Sequence, residues 1–169
     1  MIVARAPFRI SFFGGGTDHP EFFLKEGGAV LSTAIDKYAY VTANRFLSHM
    51  FEYAIRLSYS SVELATHINK VEHRIFRECL KQCNITKDIA LHSVFDTHAF
   101  SGLGTSSSLT VATLHALHCL NKEFITPDEL AREAIHVERT MVQDKVGHQD
   151  QIAAAFGGFN FIEFTPTGD

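Results

Sequence analysis

Residues 101–117, SGLGTSSSLTVATLHAL, constrain the fold more than any other stretch of the chain. From Ser106 to about Leu120 the pattern is helical and apolar nearly all round, which predicts a helix buried at the centre of the domain. Glycines and hydroxyl side chains precede that helix. A helix N-terminus presents unpaired N–H groups, and glycines let the backbone approach an anion closely, so the loop is suited to phosphate. A serine-capped buried helix without a ligand is the alternative, and the loop alone leaves both open.

The glycine loop differs from two familiar nucleotide-binding loops. No Lys-Ser/Thr pair closes it, as in a Walker A loop, and the third glycine of the dinucleotide fingerprint is missing. The hydroxyls from Thr105 to Ser108 could still bond phosphate oxygens or ligate a hard cation such as Mg²⁺.

Length and composition indicate a single globular domain. The chain has 169 residues, of which 46% are hydrophobic and 20% charged, enough for a sizeable core. The formal net charge of −4 gives no electrostatic basis for binding nucleic acid or an anionic membrane. Three cysteines argue against a disulfide framework, and no apolar run is long enough to span a bilayer. We therefore expect a cytoplasmic protein.

Strands and helices are interleaved along the chain. Apolar alternation predicts strands at residues 2–13, 29–35, 38–43, 55–59, 89–95 and 158–164. Helical periodicity predicts helices at residues 70–83, from Ser106 to about Leu120, and from Thr126 to about Lys145. Asp36-Lys37 reads as a hairpin turn, and Thr126 with Glu129 forms a capping box. This mixture predicts an α+β domain with a mixed sheet.

An arginine-bearing strand leads into three glycines near the N-terminus, in residues 4–18, ARAPFRISFFGGGTD. Glycines allow a sharp loop there, and Asp18 could accept hydrogen bonds from sugar-like hydroxyls. A plain β-turn with a solvated aspartate is the alternative.

Two acidic residues stand out in residues 138–158, ERTMVQDKVGHQDQIAAAFGG. Glu138 falls on the apolar stripe of its helix, so it should be partly buried and need a partner. A cation would serve, and an arginine or a rim position is the alternative. Asp150 precedes an alanine-rich turn, where it could be a general base or a helix N-cap.

Taken in this order, the three stretches resemble the GHMP small-molecule kinases, which include galactokinase, homoserine kinase and mevalonate kinase. RAPFRISFFGGGTDHPEFF and GHQDQIAAAFGGFNFIEF look most like bacterial D-glycero-D-manno-heptose 7-phosphate kinases and related fucokinase-like sugar kinases. The resemblance implies an α+β fold of the ribosomal-protein-S5-domain-2-like type, with residues 1–169 as the ATP-binding N-terminal domain. It also implies ATP-dependent phosphorylation of a sugar or sugar phosphate, such as the heptose 7-phosphate at its anomeric position, with Mg²⁺.

The resemblance further implies a role for each motif residue. The loop would wrap the ATP phosphates with Gly102, Leu103, Gly104, Thr105, Ser106, Ser107 and Ser108. The sugar would be bound by Gly16, Thr17 and Asp18. Ser106 and Glu138 would hold Mg²⁺. Asp150 would act as the base, and Arg9 would stabilise the transferring phosphate.

The chain also departs from the family pattern. Residues 98–101 stand where the family usually has proline and small residues, and the third family motif and the second domain are absent. We therefore expect little turnover by these 169 residues alone, with self-association or a partner chain supplying the missing half. A non-catalytic nucleotide- or sugar-binding module and a ligand-free structural domain are the alternatives. Glu138 and Asp150, both intact, argue against the structural domain.

Overall fold

A computed structural model describes residues 1–97 and 102–167 of the chain. Its six-stranded sheet consists of β1 (Ile2–Phe13), β2 (Gly28–Arg45), β3 (Ile55–Ser58), β4 (Val62–Ala65), β5 (Ile89–Phe95) and β6 (Phe159–Phe164). The helices in this part of the chain are α1 (Pro20–Glu26), α2 (Arg74–Gln82), α3 (Thr105–Asn121), α4 (Pro127–His136) and α5 (Gln149–Phe156). Within the described ranges no helix is long and apolar enough to cross a membrane.

The sheet is built around β2. Strand β1 pairs antiparallel with one edge of β2, and the order from there is β1-β2-β5-β3-β4. On the other edge, β5 pairs with residues 39–45 of β2 and β6 pairs with residues 28–33. Strands β3 and β5 run parallel, whereas the remaining pairs are antiparallel. The prediction of an α+β domain with a mixed sheet is confirmed.

The predicted hairpin at Asp36-Lys37 is wrong, because β2 runs through it as one 18-residue strand. The register passes from Pro7 opposite Tyr38 to Arg9 opposite Ala34, so residues 35–37 lie opposite Phe8 alone. Extra residues on one strand form a bulge that bends the strand without reversing it. The exposed pair Asp36-Lys37 therefore lies in a bulge of β2 and not in a turn.

Helix α3 lies in the core, as its apolar pattern predicts. Its buried side chains include Leu109, Val111, Ala112, Leu114, Ala116 and Leu117, and the helix packs on β1 and β2. Truncating the fully buried Leu114 to alanine would cost about 2–5 kcal/mol of stability. The core thus fixes the direction in which the N-terminus of α3 points.

Helix α4 begins with the predicted capping box: Thr126 Oγ1 accepts from Glu129 N, and the Glu129 carboxylate accepts from Thr126 N. The regular helix is shorter than predicted. It ends at His136, and a five-residue π-helical segment, Val137–Met141, follows it. Single π-helical turns often occur at functional sites, and this one carries Glu138.

Candidate active site

An ion pair joins Arg9 of β1 to Asp150 in the first turn of α5. Arg9 Nε donates to Asp150 Oδ1 at 2.7 Å, and Arg9 Nη2 lies 2.6 Å from the same oxygen. Arg9 Nη1 also donates to the Gly102 carbonyl oxygen at 2.7 Å, and Arg9 N donates to Leu103 O at 3.0 Å. One arginine therefore connects the predicted base to the glycine loop.

Gly104 brings the start of α3 up against Asp150. It is the N-cap residue of α3 and has a φ of +76°, a left-handed conformation that favours glycine. A Cβ atom at position 104 would lie 3.2 Å from Asp150 Oδ2 and 3.3 Å from Asp150 Cγ. Among the described residues no side chain caps this helix, so its first N–H groups are free to bind an anion.

The four hydroxyl residues of the loop differ in what they contact. Ser106 is exposed on the first turn of α3, and Thr105 is half-buried. Ser107 Oγ donates to Glu138 Oε2 at 2.9 Å, whereas Ser108 Oγ donates to Pro7 O at 2.7 Å. Ser108 therefore anchors α3 to β1, while Ser107 connects the loop to Glu138.

Glu138 is buried, with 1% of the residue exposed. In addition to Ser107, Thr110 Oγ1 donates to it at 2.5 Å and Gln151 Nε2 donates at 2.6 Å. In the described part of the chain no arginine contacts this carboxylate, and its burial rules out the rim position considered from the sequence. The carboxylate accepts hydrogen bonds from neutral donors on α3 and α5, close to the start of α3.

Burial raises the pKa of both acidic groups. For Glu138, desolvation outweighs the three hydrogen bonds, which favour the ionised form. For Asp150, desolvation raises the pKa and the Arg9 guanidinium opposes it. Carboxyl groups whose pKa values are shifted by burial concentrate at functional sites, so both residues are candidates for a functional role.

The predicted sugar-binding end of the first motif is held by contacts within the chain. Asp18 is buried; its Oδ1 accepts from Gly16 N at 3.0 Å and its Oδ2 from Gln149 N at 3.2 Å. Thr17 Oγ1 donates to Gly14 O at 2.8 Å. A Cβ atom on Gly147 would lie 1.8 Å from Asp18 Oδ2. The solvated aspartate considered from the sequence is not found, and Asp18 instead joins the first motif to α5.

An open cleft of about 710 Å³ lies beside these groups. Its lining includes Arg9, Ser11, the glycines 14–16, Gly102 and Gln149. Gly16, Arg9 and Gly102 thus line one cleft, whereas residues 98–101 lie outside the described residues. Sequence reasoning missed Ser11, Thr110, Gln149 and Gln151. Gln149 and Gln151 flank Asp150, and that adjacency was the available signal.

The oxygen atoms available at this site are ligands of the type that Mg²⁺ prefers. Serine hydroxyls and a carboxylate are hard oxygen ligands, and Mg²⁺ usually takes only one or two carboxylates, with waters and substrate phosphates completing its shell. Residues 1–97 and 102–167 contain no group of three or more His, Cys, Asp or Glu side chains able to hold a metal ion. A magnesium ion here would be held by Glu138 together with Ser106 or Ser107.

Known proteins with similar sequences include sugar kinases. A D-glycero-alpha-D-manno-heptose 7-phosphate kinase of Campylobacter jejuni is 31% identical over 175 residues, covering 96% of this chain and 50% of the relative. A galactokinase of Chloroflexus aurantiacus is 30% identical over 166 residues, covering 92% of this chain and 40% of the relative. This chain therefore spans about half the length of these relatives.

A solved structure of a heptose phosphate kinase has a similar fold. The D-glycero-D-manno-heptose 1-phosphate kinase from Bacteroides thetaiotaomicron superposes with a TM-score of 0.89 at 27% identity, covering 100% of this chain and 58% of that chain. The family model described as the N-terminal domain of GHMP kinases matches residues 65–158, more than half of the chain. That range contains the glycine loop, Glu138 and Asp150. The chain therefore belongs to the GHMP kinase family and corresponds to its N-terminal domain.

Proposed function

We propose that this domain supports ATP-dependent phosphorylation of a hydroxyl group on a sugar or sugar phosphate. D-glycero-D-manno-heptose 7-phosphate, phosphorylated at its anomeric hydroxyl, is the proposed acceptor, because one similar protein is named as a kinase of this heptose 7-phosphate. A similar solved structure is named as a kinase of the heptose 1-phosphate. The observation that carries the proposal is the Arg9–Asp150 pair, held against the glycine loop at the start of α3.

The proposed donor site is the first turn of α3 with the loop before it. Residues 102–108 would wrap the phosphates of ATP through backbone N–H groups and hydroxyls, as helix N-termini bind anions. ATP would supply the phosphoryl group, and Mg²⁺ would neutralise charge on its phosphates. Ser106 and Glu138 are the proposed Mg²⁺ ligands, with Ser107 and Gln151 orienting the Glu138 carboxylate.

Asp150 is the proposed general base. Burial raises its pKa above that of an exposed aspartate, and a carboxylate with a higher pKa is a stronger base. Arg9 would stabilise charge on the transferring phosphoryl group. Because Arg9 contacts Asp150 and the loop together, one side chain would align acceptor and donor.

At the acceptor end, Gly16 lines the cleft, while Thr17 and Asp18 fix the loop that carries it. A sugar phosphate is small enough for a cleft of about 710 Å³. Residues 1–169 are proposed as the ATP-binding domain of the kinase, working in the cytoplasm on a small-molecule substrate.

A coupled ADP-release assay on the natural gene product tests this function. The acceptors are D-glycero-D-manno-heptose 7-phosphate and galactose, each with MgATP and with ATP plus a chelator. We expect acceptor-dependent ADP release that requires Mg²⁺ and is faster with the heptose phosphate. Magnesium-dependent ATP binding without release of ADP for either acceptor would instead identify a non-catalytic binding module.

A further inference from the structure

The polar side chains predicted to bind the sugar are already engaged within the domain. Both Asp18 carboxylate oxygens accept hydrogen bonds from main-chain N–H groups. The Thr17 hydroxyl is shared between Gly14 O, Ala29 O and Ala29 N. Asp18 is also buried, and neither it nor Thr17 is in the described lining of the cleft, so a sugar there needs other polar partners.

Two such partners line the cleft without a hydrogen-bond partner in the described part of the chain. They are Ser11 Oγ on β1 and Gln149 Oε1 on α5, and both oxygens are buried. Gln149 itself is only 7% exposed. A buried polar atom without a partner costs free energy, and such atoms in a native fold call for an explanation. A ligand that satisfies both atoms would supply one.

Gly15 leaves a space between these two side chains. A Cβ atom at position 15 would lie 3.6 Å from Ser11 Oγ and 3.7 Å from Gln149 Nε2, and it would meet nothing else within 4 Å. Because Gly15 has no side chain, a small polar group could approach the serine hydroxyl and the glutamine amide from above its Cα atom. Both side chains turn about single bonds, so each can present a donor or an acceptor to it.

We propose that Ser11, Gln149 and the space above Gly15 form a subsite for one hydroxyl group of the acceptor. The inference rests on the proposed function and extends it, because it assigns acceptor recognition to residues outside the glycine-threonine-aspartate stretch 16–18. A hydroxyl donates and accepts, which matches a serine hydroxyl facing an amide. Arg9 is the one charged residue in the described lining of the cleft, so the subsite suits a neutral hydroxyl better than a phosphate.

The cross-strand neighbour of Ser11 provides a matched control. Ser32 lies directly opposite Ser11 in the β1–β2 ladder, and its hydroxyl is also buried without a partner in the described residues. Ser32 does not line the cleft. Removing either hydroxyl should leave folding intact because neither has a protein partner to lose. Ser11→Ala therefore removes a hydroxyl beside the cleft, and Ser32→Ala removes one away from it.

Gly15→Ala tests the space itself. Gly15 is not among the glycines with positive φ, and the new methyl group would meet its neighbours at ordinary contact distances. The variant should fold with an unchanged melting temperature. Its methyl group would obstruct the space through which the acceptor hydroxyl is proposed to reach Ser11 and Gln149.

The experiment measures KM for heptose 7-phosphate and for MgATP, together with heptose 7-phosphate binding by titration calorimetry, on the natural gene product. We expect Ser11→Ala to raise the acceptor KM and Kd about three- to tenfold and Gly15→Ala to raise them at least about tenfold. The KM for MgATP should stay within about twofold in both, because the lost contacts are to the acceptor. Ser32→Ala should match the wild type throughout.

The outcomes separate the subsite from the proposed function. If Ser11→Ala and Ser32→Ala behave alike, or if the wild type binds no heptose phosphate, the subsite is wrong. If the wild type binds the sugar and the variants weaken that binding as expected, yet no ADP is released, the subsite stands and the proposed function fails.

Discussion

Arg9 and Asp150 lie 141 residues apart in the chain and form an ion pair in which Arg9 Nε is 2.7 Å from Asp150 Oδ1. The arginine side chain is 13% exposed and the aspartate 25%, so water screens the pair only in part. The same guanidinium reaches the Gly102 carbonyl oxygen. This contact joins residues 4–18, the glycine loop and residues 138–158 into one candidate site.

Replacing Arg9 should move the pH dependence of the reaction. The Arg9 charge lowers the pKa of Asp150, so Arg9→Met should raise that pKa further and shift the acid limb of kcat to higher pH. Loss of transition-state stabilisation should also lower kcat about a hundredfold. A pH–rate profile measures both effects, with Arg56→Met on the exposed face of β3 as control. An acid limb that stays in place would contradict the assignment of Asp150 as the base.

A methyl group on Gly104 should disturb the site more than one on Gly102. Both glycines have left-handed φ values, +73° and +76°, so each alanine variant should lose about 1–2 kcal/mol of stability. Only at position 104 would the Cβ atom approach the Asp150 carboxylate. We expect Gly104→Ala to lower kcat well below that of Gly102→Ala. Equal kcat values in steady-state assays would show that the close approach to Asp150 is unimportant.

Ser106→Ala should weaken MgATP binding more than acceptor binding. The Ser106 side chain is exposed, so the loss should come from the metal or phosphate contact and not from folding. We expect the Kd for MgATP to rise about tenfold, with the acceptor Kd unchanged. Titration calorimetry with each ligand measures this, and Ser60→Ala in an exposed turn is the control. Equal losses for both ligands would show that the loop is assigned to the wrong substrate.

Glu138→Gln should change how stability depends on pH. Burial raises the pKa of Glu138, so the folded chain holds this proton to higher pH than the unfolded chain does. The resulting stabilisation is complete below the unfolded-state pKa and is lost as pH rises through the folded-state pKa. Without Mg²⁺, the variant should therefore gain stability relative to the wild type as pH rises from acid to neutral. Parallel denaturation curves across that range would contradict it.

Asp18→Asn tests whether Asp18 positions the start of α5 or contacts the sugar directly. Both carboxylate oxygens accept main-chain hydrogen bonds, and an asparagine loses one of them in either orientation. Because Gln149 N is one of the donors, the start of α5 and Asp150 should shift. We expect a lower kcat with the acceptor KM within about twofold. A large rise in acceptor KM at unchanged kcat would show that Asp18 contacts the sugar directly.

The sequence was sufficient where local patterns determine structure. The apolar run after the glycine loop predicted the buried helix α3, and Thr126 with Glu129 predicted the start of α4. Local patterns failed where pairing between strands determines the structure. Asp36-Lys37 looks like a turn, yet the ladder with β1 carries β2 through it as a bulge. Helix α5 is only eight residues long, too short for periodicity to reveal it.

The candidate site was predictable in its residues and not in its contacts. The motifs pointed to Arg9, Glu138 and Asp150, but their partners come from distant segments. Glu138 is held by Thr110 and Gln151, and no spacing in the sequence links those residues. The family resemblance is confirmed by the comparisons and supplied the fold. The contacts between motifs required the packed structure.

The most direct test of the account is phosphoryl transfer by Asp150→Asn in the natural gene product. The measurement is ³¹P NMR of MgATP with D-glycero-D-manno-heptose 7-phosphate, alongside calorimetry of MgATP binding. We predict that transfer falls at least about a hundredfold while the Kd for MgATP stays within about twofold, because Asp150 is assigned to the acceptor side. Transfer at the wild-type rate by Asp150→Asn would contradict the account.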